Sequence, residues 1–147
     1  MRRLWGVLSA VFFLAAPAFA GLGQTVDSVK ADREAMGGVM RSQTFERYTV
    51  HQITQPDGRM LREYVSPSGV VFGVVWEGPT MPNLSQALGA YFEEFQRAAA
   101  ATSRRRGPLY VHSGALVVVS TGHMRSFQGF AYVTGLIPAG VTEAVLR

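Results

Sequence analysis

The run Val70–Trp76, VVFGVVW, constrains the fold of this chain more than any other stretch. Val, Phe and Trp suit a pleated, half-buried surface, and the run is too short and too β-branched to favour a helix. Ser66-Pro67-Ser68-Gly69 precedes it and Gly78-Pro79 follows, both of them turn formers. The pattern predicts a central strand. Its even positions, Val70, Phe72, Val74 and Trp76, form a continuous apolar face, and Val71, Gly73 and Val75 form a thinner one. Gly73 weakens a strand in exchange for room, which signals a bulge or the close approach of another element; a packed helix is the expected occupant.

Upstream, the period is also two. A first strand runs from Phe45 through Ile53 without a clean dry side, as suits an edge. Gln55-Pro56-Asp57-Gly58 is a turn with a mechanism, since Pro presets its backbone angle, Asp bonds back to the chain and Gly accepts positive φ. Met60–Val65 is the return arm. Together with the central strand this makes a three-strand antiparallel meander. Arg41–Thr44 reads as a polar connector.

After the meander, Asn83 stands as a helix cap with Gln86 three residues on. Leu84, Ala87, Leu88, Tyr91, Phe92, Phe95 and Ala98 then recur at the spacing of one helical stripe, with Glu93, Glu94, Gln96 and Arg97 off it. About 20 residues give a rod of roughly 30 Å. The Arg104–Arg106 triplet suits the negative pole of that helix, and Gly107-Pro108 stops it. Two further strands follow, Ala115–Ser120 and Ser126–Val133, and a Pro138-Ala139-Gly140 turn leads to the tail VTEAVLR. If the helix makes one traverse, the strand after it runs parallel to the central one. The expected fold is α+β: a mainly antiparallel five-stranded sheet with the long helix on one face and a short helix near the N-terminus.

Met1–Ala20 carries Arg2-Arg3, an apolar stretch from Leu4 to Ala16 and a small-x-small end at Ala18-Phe19-Ala20, the three parts of an export signal. The apolar stretch is shorter than the roughly 20 residues that span a bilayer. Cleavage after Ala20 leaves residues 21–147 as a single domain, soluble in the periplasm or outside the cell, with no membrane insertion. Within that domain, Thr25 and Asp27 suit a helix start and Gly37-Gly38 a stop, although Arg33 interrupts the stripe of Leu22, Val26, Val29 and Met36.

Charge and composition remove several function classes. The chain carries 14 basic and 10 acidic residues, and losing Arg2 and Arg3 leaves a net charge of only +2. Nucleic-acid binders show a clearer basic stripe. With 0 cysteines there is no disulfide framework, zinc-thiolate site or thiol nucleophile. His51, His112 and His123 show no ligand spacing, so no metal or other cofactor is implied. Neither a G-x-S-x-G elbow, a P-loop nor a dinucleotide fingerprint occurs. Glu63 and Glu77 are the one carboxylate pair a meander could bring together.

Polar and aromatic residues interrupt the β-pattern at a few places. Trp76 ends the central strand, Arg62 and Tyr64 share a face of its neighbour, and His123 and Arg125 occupy the link between the last two strands. These types recur at interface hot spots. The expectation is a partner-binding surface of Trp76, Tyr64 and Arg125 at one end of the sheet, with Arg62 and His123 at its rim. Its partner would be an envelope or secreted protein, or a small apolar ligand. The alternative is a small periplasmic hydrolase using His123 with Ser120, Ser126 or Glu63.

REYVSPSGVVFGVVWEGPTMPNLSQALGAYF, GHMRSFQGFAYV and IPAGV resemble the shared segments of an uncharacterised family of small secreted proteobacterial proteins, classed only as a domain of unknown function. The resemblance covers most of the mature chain. It implies an exported single-domain protein and attaches no activity to it.

Overall fold

The computed structural model describes residues 21–29, 34, 37–102 and 107–147. The expected export segment Met1–Ala20, Arg33 and Met36 of the expected N-terminal helix, and the Arg104–Arg106 triplet lie outside the described residues. Strands β1 (Val39–Thr44), β2 (Thr49–Thr54), β3 (Met60–Val65) and β4 (Val71–Gly78) come first. Helical segments α1 (Leu84–Leu88) and α2 (Phe92–Ala101) follow, joined by a 3-10 turn at Gly89–Tyr91. Then come β5 (Leu109–Ser113), β6 (Leu116–His123) and β7 (Ser126–Val133), with 3-10 turns at Thr134–Leu136 and Glu143–Leu146.

The sheet has seven strands in the order β1-β2-β3-β4-β7-β6-β5, not the expected five. The two extra strands come from stretches that the sequence leaves without structure: Arg41–Thr44, expected as a polar connector, lies within β1, and β5 lies between the Gly107-Pro108 helix stop and the strand expected from Ala115. Both are edges. A strand with one neighbour needs no continuous apolar face, so β1 is exposed along most of its length and looks like loop by composition. The first pairing also starts later than its period suggests, because Phe45–Tyr48 forms the β1–β2 turn.

Every pairing is antiparallel, so the sheet is not mixed. The strand that directly follows the helix is β5, which runs opposite to β4. The expected strand Ala115–Ser120, now part of β6, runs in the direction of β4 but pairs with β7 and β5 instead. The helical run Leu84–Ala101 crosses the sheet laterally. It begins near the β2–β3 turn, where Asn83 and Gln86 share a hollow with Arg59 and Met60, and α2 ends on β5. β5 therefore starts from the end of the sheet where β4 finished. Its direction, and that of the β6–β7 hairpin behind it, follows. Asn83 caps as expected, its Oδ1 accepting from the Ser85 and Gln86 amides at 3.1 and 3.4 Å.

Helix and sheet bury one core between them. It includes Leu61, Val65, Val71, Val74, Trp76, Ala87, Leu88, Phe95, Val118 and Ala131, joined by Leu22 and Val29 from the N-terminal segment, where residues 26–29 are helical. A second, smaller cluster of Tyr64, Phe72, Val117, Tyr132 and Leu146 occupies the other face.

Phe72 is on the wrong side for a simple alternation. Tyr64 pairs with Gly73 and Val65 with Val71, leaving Phe72 as an extra residue in β4. A bulge of this kind resets the period. Val74 and Trp76 still face the helix, whereas Phe72 joins Val75 opposite, so the expected even face is split. Gly73 does make room for another element. That element is Leu146 of the C-terminal 3-10 turn, not the helix.

Candidate functional groove at one end of the sheet

Directly opposed residues in an antiparallel sheet share a face, so the registers define rows across it. On the face away from the helix, one row reads Val50, Tyr64, Gly73, Tyr132 and Val117. The C-terminal turn covers this row by setting Leu146 over Gly73. Burial raises the pKa of Tyr132 here, and the charge of Glu143 adds to the effect.

The next row reads Arg62, Val75, Phe130 and Val119, and beyond it lie Glu77, Gln128 and Thr121. Nothing covers Val75, Phe130 and Val119 completely; each is half-buried. They floor a groove of about 280 Å³, bounded by Arg62, Glu77, Gln128 and Thr121 on the sheet and by Leu146 and Arg147 from the C-terminus. Arg62 Nη2 lies 3.6 Å from Glu77 Oε2 across the mouth. Both side chains are substantially exposed, so the pair is worth at most about 1 kcal/mol and leaves Arg62 available to a ligand.

A second hollow of about 300 Å³ adjoins the groove, sharing Thr121 and Gln128 with it and adding Pro108, His123 and Ser126. Beside it the β6–β7 hairpin turns at Met124 and Arg125, since His123 pairs with Ser126. Arg125 is the one non-glycine residue with positive φ among the described residues, at 64°. A side chain in that region costs about 1–2 kcal/mol relative to glycine. Met124 is 92% exposed beside it.

The five sequence-predicted residues divide by burial. Arg62 lines the groove, His123 lines the adjoining hollow, and Arg125 stands at the hairpin tip, whereas Trp76 lies in the strand beneath the groove with its side chain in the core on the helix side. Tyr64 lies one row further in and is buried, packed on Tyr48 and Phe72. Trp76 is 1% exposed, and its indole packs against Gly129, where a Cβ would come 2.4 Å from Cζ2. Among the described residues, nothing hydrogen-bonds to its Nε1. Sequence reasoning missed Phe130, Val119 and Met124. The first two look like any strand residues, and only the short reach of the C-terminal turn leaves them open.

The residues of the hydrolase alternative do not converge. Ser120 pairs with Gly129 in the row of Trp76, which puts its buried side chain on the helix side, whereas His123 is exposed. Among the described residues, no hydrogen bond joins His123 to Ser120 or Ser126. Glu63 is 0% exposed and pairs with Val74 on the helix side, so it does not meet Glu77, which faces the groove. No group of three His, Cys, Asp or Glu gathers among the described residues. None of their helices is long and apolar enough to cross a membrane.

No curated protein and no solved structure matches the chain. A family model does, over residues 18–146. The chain belongs to the family described as "Protein of unknown function (DUF2844)".

Proposed function

We propose that this is an exported, non-catalytic binding module of the periplasm or the extracellular space, and that the groove end of its sheet grips another protein. The observation that carries the reading is the half-buried apolar floor of Val75, Phe130 and Val119, left open between a polar rim and the C-terminal turn. Its volume of about 280 Å³ falls just below the range of drug-sized ligand sites, roughly 300–1,000 Å³. One or two anchoring side chains of a partner fit such a space better than a free apolar ligand does, and desolvated anchor pockets are where interfaces concentrate their energy.

In this reading Arg62 and His123 stand at the rim and Arg125 reaches out from the hairpin tip. Trp76 and Tyr64 are both buried, on opposite faces of the sheet, and support these residues from within. The left-handed backbone of Arg125 supports a role outside folding, because glycine would serve that turn better. Export rests on the sequence of Met1–Ala20.

The test is capture from an envelope extract by the mature protein and by Arg62→Ala, Arg125→Gly and the helix-surface control Glu93→Ala. Arg125→Gly should melt no earlier than the parent yet lose the same partner that Arg62→Ala loses, while the control keeps it. Full capture by both Arg62→Ala and Arg125→Gly would show that this end of the sheet is not the binding surface.

A further inference from the structure

Val75, Phe130 and Val119 come from the neighbouring strands β4, β7 and β6, so the apolar floor of the groove is about 10 Å long. The Phe130 ring stacks on Tyr132 with centroids 6.3 Å apart, which holds this surface in shape before anything binds. Past Val119 the same row ends at Tyr110 on the edge strand, 59% exposed. In the other direction it continues from Arg62 through Gln52 to Arg41.

The charges around the floor are unequal. Arg62 and Arg147 line the groove and Arg41 extends the row of Arg62, against the carboxylate of Glu77. Glu143 acts on Tyr132 but does not line the groove. The two lining arginines stand on different walls: Arg62 on β3, and Arg147 beyond Leu146, where its charge reaches Tyr132. A guanidinium holds a carboxylate best through two parallel N–H donors at about 2.7–2.9 Å. Arg62 has no such partner among the described residues. Its Nη2 is 3.6 Å from Glu77, too far for a hydrogen bond, and its Nε donates to the Met60 sulfur at 3.5 Å, a weak acceptor. The Glu77 side chain is 60% exposed and can swing away at little cost.

We infer that the groove takes an acidic segment of a partner protein, seating one apolar side chain on Val75, Phe130 and Val119 with a side-chain carboxylate on either side of it, and that Glu77 is a built-in competitor for Arg62. This rests on reading the groove as a surface that grips protein. Two arginines on separate walls fit two carboxylates along a segment, whereas a chain end carries only one. On binding, a partner carboxylate replaces Glu77 at Arg62, so the resting ion pair is exchanged and the guanidinium is not left bare. A basic segment would meet Arg62 and Arg147 with like charge, which excludes it.

The experiment pans a phage-displayed library of random peptides against the protein, then measures recovered sequences by anisotropy as fluorescein-labelled peptides with amidated carboxy termini. They should carry Asp or Glu on both sides of an aromatic or aliphatic residue. Arg62→Ala and Arg147→Ala should each weaken binding about tenfold, and added salt should weaken it in the parent. Val119→Thr, which puts a hydroxyl on the floor, should weaken it as well. Glu77→Gln should tighten binding about threefold, and by clearly less in the Arg62→Ala background, where no guanidinium is left to release. Unchanged or weaker binding by Glu77→Gln would overturn the exchange at Arg62. Binding that appears only when the peptide terminus is left free would overturn the two-carboxylate segment. Peptides without carboxylates that Val119→Thr weakens would overturn the acidic class and leave the groove as a gripping surface. Peptides indifferent to Arg62→Ala, Arg147→Ala and Val119→Thr alike, or recovery of none, would overturn the groove reading itself.

Discussion

Leu146 stands directly over Gly73, so close that a Cβ at residue 73 would lie 2.8 Å from its Cδ2 and 3.0 Å from its Cδ1. The contact joins the middle of the sheet to the end of the chain. Leu146→Ala should cost about 2–5 kcal/mol, since the side chain is buried and its removal leaves a cavity. Gly73→Ala should cost about 1–3 kcal/mol through overpacking. The double variant should lose clearly less than the two costs together, because each change relieves the other. Urea denaturation of the four proteins measures the coupling, and strict additivity would refute the contact.

The bulge at Phe72 separates two aromatic residues that simple alternation would place in one core. Phe72 is 0% exposed on the face away from the helix, Phe95 is buried beneath the helix, and Phe92 is only partly buried there. Phe72→Ala and Phe95→Ala should each cost about 3–5 kcal/mol. Phe92→Ala should cost less, and Glu93→Ala about 0.5 kcal/mol or less. Thermal melts rank the four; an equal loss at Phe92 and Glu93 would mean the helix presents a different stripe.

Asn83 holds the start of α1 through its Oδ1, which also accepts from the Ser85 hydroxyl at 2.7 Å. Asn83→Ala should destabilise by about 1 kcal/mol, and Asn83→Asp, which keeps the acceptor, by much less. A drop of equal size in both variants would show that the cap contributes through something other than its carbonyl oxygen.

His51 gives stability a pH dependence of known sign. Its Nδ1 lies 2.7 Å from Ser42 Oγ, and burial lowers its pKa from 6.5. The unfolded chain therefore takes up this proton at a higher pH than the folded one. Stability should fall as pH drops from about 6.5 to the lowered folded value, and this residue should contribute no slope above that window. His51→Gln should flatten the slope in a series of urea midpoints between about pH 7.5 and 5.5. The same slope in parent and variant would assign it to another group.

What could be read from the sequence was what a single element declares about itself. The apolar run of β4, the capped stripe from Asn83 and the turns at Gln55–Gly58 and Ser66–Gly69 all depend on local chemistry, and all are present. β1 and β5 were hidden because an edge strand borrows its order from a neighbour. The side on which Phe72 falls depends on a one-residue offset between β3 and β4, which composition does not record. For the groove, Arg62 and His123 stood out as polar interruptions of a strand pattern. Its floor did not, because Phe130 and Val119 become distinctive only where the last residues, with the look of a loose tail, stop short of covering them.

The strand order has a kinetic meaning as well. β1 to β4 form one run of sequential neighbours and β5 to β7 another, and the seam between them pairs Gly73 with Tyr132, roughly 60 residues apart in the chain. Each run can assemble through short loops, but the seam cannot form until most of the chain is present and a long loop has closed. The rate of that closure, rather than the formation of either meander, should limit how fast the protein folds. Until it closes, β4 and β7 each carry an unpaired, largely apolar edge, the condition in which two copies can exchange halves.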